Sequence, residues 1–516
     1  CTEYPKSDAM KRTILKILFL IIGYITCSCY SFYWPVFPSF FQSDLILNNE
    51  LKRGYSSCPS CVYETKWFGQ NIDHFTFVNN ATFKQRYLIN KSHWKPGSVI
   101  FFYCGNEAEI EIFARTMGFL WEAAPDFDAM LVFAEQRYQG RSLPFGARSL
   151  TAPKYTGYLT SSQVLADYSK LINFIKSNIT GAKDSPVVAF GASLGGQYAS
   201  WLRMKYPSII AGAIASSAPV FQFSTDCETQ YSLVTKAFEK DGGKACVEVI
   251  RRSWKILERL SVDEEGQDFI TKTFSLCEPL TKFEDIYQIR DKLALSYLFL
   301  AMENYPHPTS TKPAWPIKAV CSTIKDVKTD ERKLITDLAN GLSAYFNHSK
   351  SLKCLHLPKN GKEFLGAWNY QSCTEMLYPL CSDGVRDMYY ESSWDVKSME
   401  EICEKTWGAK PDISRVKLQY GDRDISENSN IVFTNGDMDP WSGGGVLHDI
   451  SDSIVAINIE RGAHNSDLLF SHEQDLPSVK AAREKEKFYI QLWIKKWKEK
   501  LLRVKQLDNC YKEGVF

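Results

Sequence analysis

The chain has 516 residues, 44% of them hydrophobic, enough to bury a large core in more than one domain. Its 61 basic and 60 acidic residues nearly cancel, which excludes a net field that would draw nucleic acid or an anionic membrane. No Cys/His cluster or His-Glu-x-x-His run points to a metal, and no motif calls for a cofactor.

Met10 reads as the translation start. Lys11, Arg12 and Lys16 lead into or edge the apolar run 17–25, and the small residues Thr26, Cys27, Ser28 and Cys29 follow. This is the order of a secretory signal peptide, too short for a stable membrane span, although an uncleaved signal anchor is the alternative. Residues 1–30 are therefore expected to be an N-terminal extension and signal peptide, with the mature chain starting near 28–31. Twelve cysteines then remain, from Cys58 to Cys510, an even number suited to disulfides in an oxidising compartment, secreted or lysosomal. Asn80, Asn90, Asn178 and Asn347 head glycosylation sequons, as expected on that route. Cys58-Pro59-Ser60-Cys61 has redox spacing but no thioredoxin-like strand and helix around it, so a structural disulfide is expected.

Residues 32–63 read as an irregular arm. Segments 67–75 and 83–89 are expected as short strands of an antiparallel opening, and 99–103 and 131–134 as apolar strands with helical spacing between them at 110–124. Helical spacing at 163–175 precedes an apolar strand beginning at Val187, which runs into Gly191-Ala192-Ser193-Leu194-Gly195 and then helix-forming residues. Gly-x-Ser-x-Gly between strand and helix is a nucleophile elbow, a strained turn that projects its hydroxyl from the sheet edge. Ser193 is the candidate nucleophile. A further buried strand is expected at 209–215, and the alternation of strands and helices argues an α/β fold with a parallel sheet covered on both faces.

The alternation then stops. From 221 to 427 the patterns are mostly helical, as at 231–240, 247–260 and 333–345, and eight of the twelve mature cysteines lie there. A disulfide-stapled helical cap is expected at 221–427, splitting the core into 31–220 and 428–516. Strands resume at 431–434 and 454–459. Phe488, Leu492, Trp493, Trp497, Leu501 and Val504 recur at helical spacing over 481–504, as in an amphipathic helix docked on a sheet.

A serine nucleophile needs a base to take its proton and a carboxylate to orient that base. In elbow-bearing folds the chain order is Ser, acid, His, each at the carboxyl end of a strand. Of eight histidines, His448, His464 and His472 follow strand 431–434. His464, just beyond the last strand, is the expected base; His448 falls in the connection between strands and His472 too far into the next loop. For the acid, Asp439 precedes Pro440, which biases its backbone to an extended geometry that aims the side chain at a neighbouring loop. Asp437, beside Gly436, suits an exposed turn. The backbone of Leu194 is the first expected oxyanion donor, and the loop Gly105-Asn106-Glu107 the second, with Asn106 as candidate. Which N–H of that loop points inward is not readable from sequence.

Several blocks carry a resemblance: Asp73-His74-Phe75, Gly105-Asn106-Glu107, Glu135-Gln136-Arg137-Tyr138, the elbow, Trp201-Leu202-Arg203, Asp439-Pro440-Trp441-Ser442-Gly443-Gly444-Gly445 and Gly462-Ala463-His464. Through them the chain resembles the prolylcarboxypeptidase and dipeptidyl peptidase II family of serine peptidases over nearly all of its mature length. The resemblance implies an α/β-hydrolase core with a helical cap after the sixth strand, and a triad of Ser193, Asp439 and His464. It also implies a proline-containing peptide substrate, cleaved to release either a C-terminal residue after Pro or an N-terminal Xaa-Pro dipeptide. Glu107 and Trp441 are implied at the substrate pocket, and a second copy of the chain is the candidate assembly partner. The cap blocks Pro313-Ala314-Trp315-Pro316 and Tyr378-Pro379-Leu380-Cys381 resemble the carboxypeptidase branch more closely. They imply the pairs Cys227 with Cys381, Cys246 with Cys321, Cys277 with Cys354, and Cys373 with Cys403.

Two departures stand out. The family usually has Tyr after the nucleophile, where this chain has Leu194. The family run Gly-Ala-His-His-Leu-Asp-Leu-Arg becomes Gly462-Ala463-His464-Asn465-Ser466-Asp467-Leu468-Leu469, so a His and an Arg are missing beside the base. Without those cations, activity is expected to favour weakly acidic to neutral surroundings. Two rival readings keep the fold: a lipase or esterase using the same triad, and a non-catalytic binding protein.

Overall fold

The computed structural model describes residues 58, 61–309, 312–324, 330–357 and 366–512, the last six by backbone alone. The expected signal peptide, its cleavage site and the Cys510 side chain lie outside the described residues, as does the arm up to residue 57.

Eight strands form one sheet: β1 (Glu64–Asn71), β2 (Thr82–Asn90), β3 (Ile100–Cys104), β4 (Met130–Ala134), β5 (Val187–Ala192), β6 (Gly212–Ser216), β7 (Ile431–Gly436) and β8 (Ile454–Ile459). Their order is β1-β2-β4-β3-β5-β6-β7-β8. The pairs β1/β2 and β2/β4 are antiparallel and all later ones parallel. The apolar runs dictate this. β3, β4 and β5 are buried along their whole length, as strands covered on both faces must be, whereas β1 is mostly exposed and takes the edge. The sheet order, with a sharp turn after the fifth strand, is that of the α/β-hydrolase fold.

The helical pattern at 110–124 folds as two helices, α1 (Ile110–Thr116) and α2 (Gly118–Ala123), broken at Met117. At the break Gly118 packs against Phe470, so closely that a side chain there would collide, and the Phe119 N–H is drawn out to the Leu468 carbonyl at 3.1 Å. Helix α3 (Ser161–Asn178) is capped by Thr160, whose hydroxyl accepts the Gln163 N–H at 3.3 Å. Helix α4 (Leu194–Lys205) springs directly from the turn after β5.

Between β6 and β7 the chain is helical, with α5 (Thr229–Gly242), α6 (Lys244–Leu260), α7 (Ile286–Met302) and α8 (Glu331–Phe346) as its longer elements. Disulfides join Cys227 to Cys381, Cys246 to Cys321, Cys277 to Cys354 and Cys373 to Cys403. Cys58 bonds to Cys61, and Cys104 is a buried free thiol in β3. This region meets the core through polar contacts. Glu375 accepts the Ser161 N–H at the start of α3, and the Ser161 hydroxyl at 2.9 Å. Gln371 donates to the Tyr198 hydroxyl at 2.9 Å, and Tyr378 donates to Gln197 at 3.0 Å.

The last helix, α9 (Pro477–Lys512), is longer than the expected 481–504 and packs under the sheet. Its buried face is Val479, Ala482, Ile490 and Trp493, the last so close that a side chain at Gly212 would meet its ring. The expected stripe is corrected here: Phe488 and Val504 face solvent, because the helix is rotated to bring Trp493 onto the sheet. No helix among the described residues is long and apolar enough to cross a membrane.

Candidate active site

Ser193 lies at the turn from β5 to α4 with φ 57° and ψ −124°, a conformation that L-residues rarely adopt and that persists where surrounding structure enforces it. The neighbouring glycines explain how. A side chain at Gly191 would collide with the Gly195 backbone, and one at Gly195 with Asn106 and the Cys104 carbonyl. The Ser193 N–H donates to the Ser216 carbonyl at 2.9 Å, tying the turn to the end of β6. The Leu194 N–H is the first of helix α4, where geometry leaves amides without intrahelical partners.

Beside it runs the loop after β3. The Tyr103 hydroxyl donates to Asn106 Oδ1 at 2.9 Å, and the Asn106 side-chain amide donates to the Ala192 carbonyl under the elbow. The Gly105 N–H is taken by the Ala134 carbonyl at 3.0 Å.

The expected acid and base follow the ends of β7 and β8. Asp439 is fully buried; its Oδ2 is 2.8 Å from His464 Nδ1 and its Oδ1 accepts the Trp441 N–H at 3.0 Å. A carboxylate accepts without donating, so the proton in the His464 contact belongs to Nδ1 and Nε2 is left as a base. Asp437 is the exposed residue of this turn and pairs with Lys240 at 3.3 Å. The two loops are sewn together: Met438 N–H donates to the Gly462 carbonyl at 3.1 Å, and Asn465 N–H to Ser217 Oγ at 2.9 Å. His464 is thus joined to Asp439 directly, and to the Ser193 turn through the residues that end β6. His448 is exposed, and His472 stacks on His307 at 4.4 Å rather than entering this cluster.

The model of the serine carboxypeptidase S28 family matches residues 70–486. The chain belongs to that family. It is 40% identical to the lysosomal Pro-X carboxypeptidase of Bos taurus over 94% of this chain and 98% of that protein. To the lysosomal Pro-X carboxypeptidase of Homo sapiens it is 42% identical over 84% of this chain and 88% of that one. Prolyl carboxy peptidase like protein 5 of Caenorhabditis elegans is 35% identical, over 88% and 94%.

In this S28 chain the cap reaches into the base loop. His464 N–H donates to the Met302 carbonyl at the end of α7 at 3.0 Å, and the Tyr305 hydroxyl donates to the His464 carbonyl at 2.8 Å. Neither residue was legible as part of the site, because the contact spans more than a hundred residues. Asp467 was equally hidden. Its carboxylate accepts Ser216 Oγ and Thr434 Oγ1, both at 2.7 Å, clasping the ends of β6 and β7. Asn465 takes the left-handed region at φ 56°, which asparagine tolerates. The nearby cations each face a carboxylate, Arg461 on Asp241 and Arg483 on Asp475, both at 2.7 Å.

Trp441 is buried, its ring 5.8 Å from that of Tyr378 in an edge arrangement. Glu107 is different in kind: its Oε2 is sealed from solvent with no hydrogen bond. Burial pushes its carboxyl up to about 7, eased by its own N–H and by His464 nearby. Asn80 and Asn178 are exposed, whereas Asn90 donates to the Val62 carbonyl and Asn347 to the Leu352 carbonyl. The tight group of metal-ligand types, Cys277, Cys354 and His356, holds a disulfide rather than thiolates.

Proposed function

We propose that the protein is a serine exopeptidase that removes the C-terminal residue following proline. The observation that carries this is the buried His464–Asp439 pair, held after adjacent strands of the sheet that also carries the elbow serine, in a chain 40% identical to a Pro-X carboxypeptidase. Ser193 Oγ attacks the prolyl carbonyl while His464 Nε2 takes its proton, and Asp439 holds the imidazole in the required tautomer. Negative charge on the carbonyl oxygen is met by the N–H groups of Leu194 and Asn106, the latter on a loop whose Gly105 N–H is already taken by the Ala134 carbonyl. His464 then returns the proton to the leaving amine, and water resolves the acyl-enzyme. Trp441 and Tyr378 supply a rigid apolar wall suited to a proline ring.

We assign residues 221–427 to the cap, and 31–220 with 428–516 to the core. The route is secretory, ending in a lysosome-like compartment, a reading supported by the disulfides and by buried carboxyls that hold protons in acid. A homodimer is the proposed assembly, using the exposed edge β1, and mass by light scattering tests it. The function is tested with N-blocked Pro-Xaa peptides. Ser193→Ala lowers kcat about 10⁴-fold or more. Undiminished turnover in that variant, or turnover confined to acyl esters, overturns the reading.

A further inference from the structure

Glu107 stands on the loop after β3 at a depth set by its neighbour, since Asn106 is pinned from one side by Tyr103 and from the other by the Ala192 carbonyl. The ionisable groups that face it are Tyr103 from β3, Tyr378 from the cap and His464 from the loop after β8. Among the described residues, no lysine or arginine acts on it. Burial therefore keeps the carboxyl protonated at acidic pH, where it is a hydrogen-bond donor, while its Oε2 finds no partner in the protein. A sealed polar atom without a partner, on the loop bonded under the elbow, marks a place completed by ligand.

We propose that Glu107 is a specificity-determining residue whose protonated carboxyl donates a hydrogen bond to the terminal carboxylate of the substrate's last residue. The inference rests on the reading that Ser193 and His464 cleave after proline. The leaving amine must lie against His464 to receive its proton, and in a carboxypeptidase substrate the free carboxylate is one Cα away from that amine. Glu107, near enough to His464 for its charge to be felt, is placed to meet it. An ionised Glu107 repels the carboxylate, and no cation stands in for the missing proton, so terminal-carboxylate recognition is confined to acid. The same residue in its ionised form suits an N-terminal ammonium instead, which is the opposing outcome of the test.

The test compares three N-blocked substrates from pH 4.5 to 8.5: a peptide ending in Pro-Xaa as free acid, its C-terminal amide, and a proline ester with no carboxylate on its leaving group. A fourth substrate has a free N-terminal Xaa-Pro. In the wild type, the kcat/KM ratio of free acid to amide falls about tenfold per pH unit above the Glu107 transition. Glu107→Gln, whose amide donates at every pH, holds the ratio and removes its pH dependence. Glu107→Ala lowers the ratio roughly tenfold or more at pH 5, whichever way absolute turnover moves. A ratio flat across pH 7 in the wild type, or unaltered in Glu107→Ala, overturns the proposal. So does a loss in that variant falling on the free-N-terminus substrate alone. Fluorophosphonate labelling of Ser193 in each variant reports a folded site, and failure of the wild type both to label and to cleave the ester sinks the catalytic reading instead.

Discussion

The core and the cap of this molecule solve the same problem by different means. The core covers a sheet on both faces, and its residues on β3, β4 and β5 are buried throughout; the one cysteine in those strands, Cys104, is unbridged. The cap is built of helices joined by loops and carries four disulfides. Between them lies a polar joint of Glu375, Gln371 and Tyr378, together with the Met302 and Tyr305 contacts to His464. Apolar burial tolerates wide changes of pH, whereas a buried carboxyl at a joint does not. The difference teaches where this peptidase is rigid, at Ser193, Asp439 and His464, and where it responds to its surroundings, on the side the cap closes.

The largest stability effects break the two halves separately. Trp493→Ala, which empties the contact between α9 and Gly212, costs about 3–5 kcal/mol and lowers the urea midpoint of the core. The pair Cys246→Ser and Cys321→Ser costs about 2–4 kcal/mol, with hydrogen exchange rising in the cap and not along β3 and β5. Exchange that spreads equally through both regions would show that they unfold as one unit.

The next effect, pH-dependent, addresses the joint. Glu375 and Glu107 are each pushed from an ordinary 4.5 to about 7, first by burial, and Asp291 from 3.8 to about 6 for the same cause. In each the folded state holds the proton more tightly than the unfolded chain, so the stabilisation is complete at low pH. It is lost as pH rises through the folded value, by on the order of 3 kcal/mol for a fully buried glutamate. Thermal midpoints therefore fall from pH 5 to pH 8. Glu375→Gln flattens that slope, and an unchanged slope means that the joint is not what titrates.

The smallest effect concerns the missing His and Arg. Adding Asn465→His with Leu469→Arg moves the acid limb of kcat/KM toward lower pH by about one unit or less, because both positions lie on the loop that holds the base. No movement would mean that the site is insulated from charge on that loop.

Much of the fold was legible because it is written locally. Apolar runs of strand length, the Gly-x-Ser-x-Gly turn, and the breaker-rich turns at Asp439 and His464 depend on residues within a few positions of one another. The broken helix at Met117 was not legible, since nothing near 117 announces that Phe470 will press on Gly118. The exposed Phe488 misled for the same reason: helical spacing defines a stripe, and the neighbour that docks decides which edge of it is buried.

By itself, then, the sequence determined the strands, the elbow turn and the stapled character of the cap, from short-range pattern and chemistry, and it offered Ser193, Asp439 and His464 as candidates in the order elbow-bearing folds use. Tertiary structure alone decided that Glu375 caps a helix 214 residues away, that Met302 and Tyr305 hold the base loop, and that Glu107 ends without a partner beside His464. Burial and hydrogen-bond partners are properties of the packed chain, and desolvation, which sets the protonation of those carboxyls, exists only once the chain has excluded water.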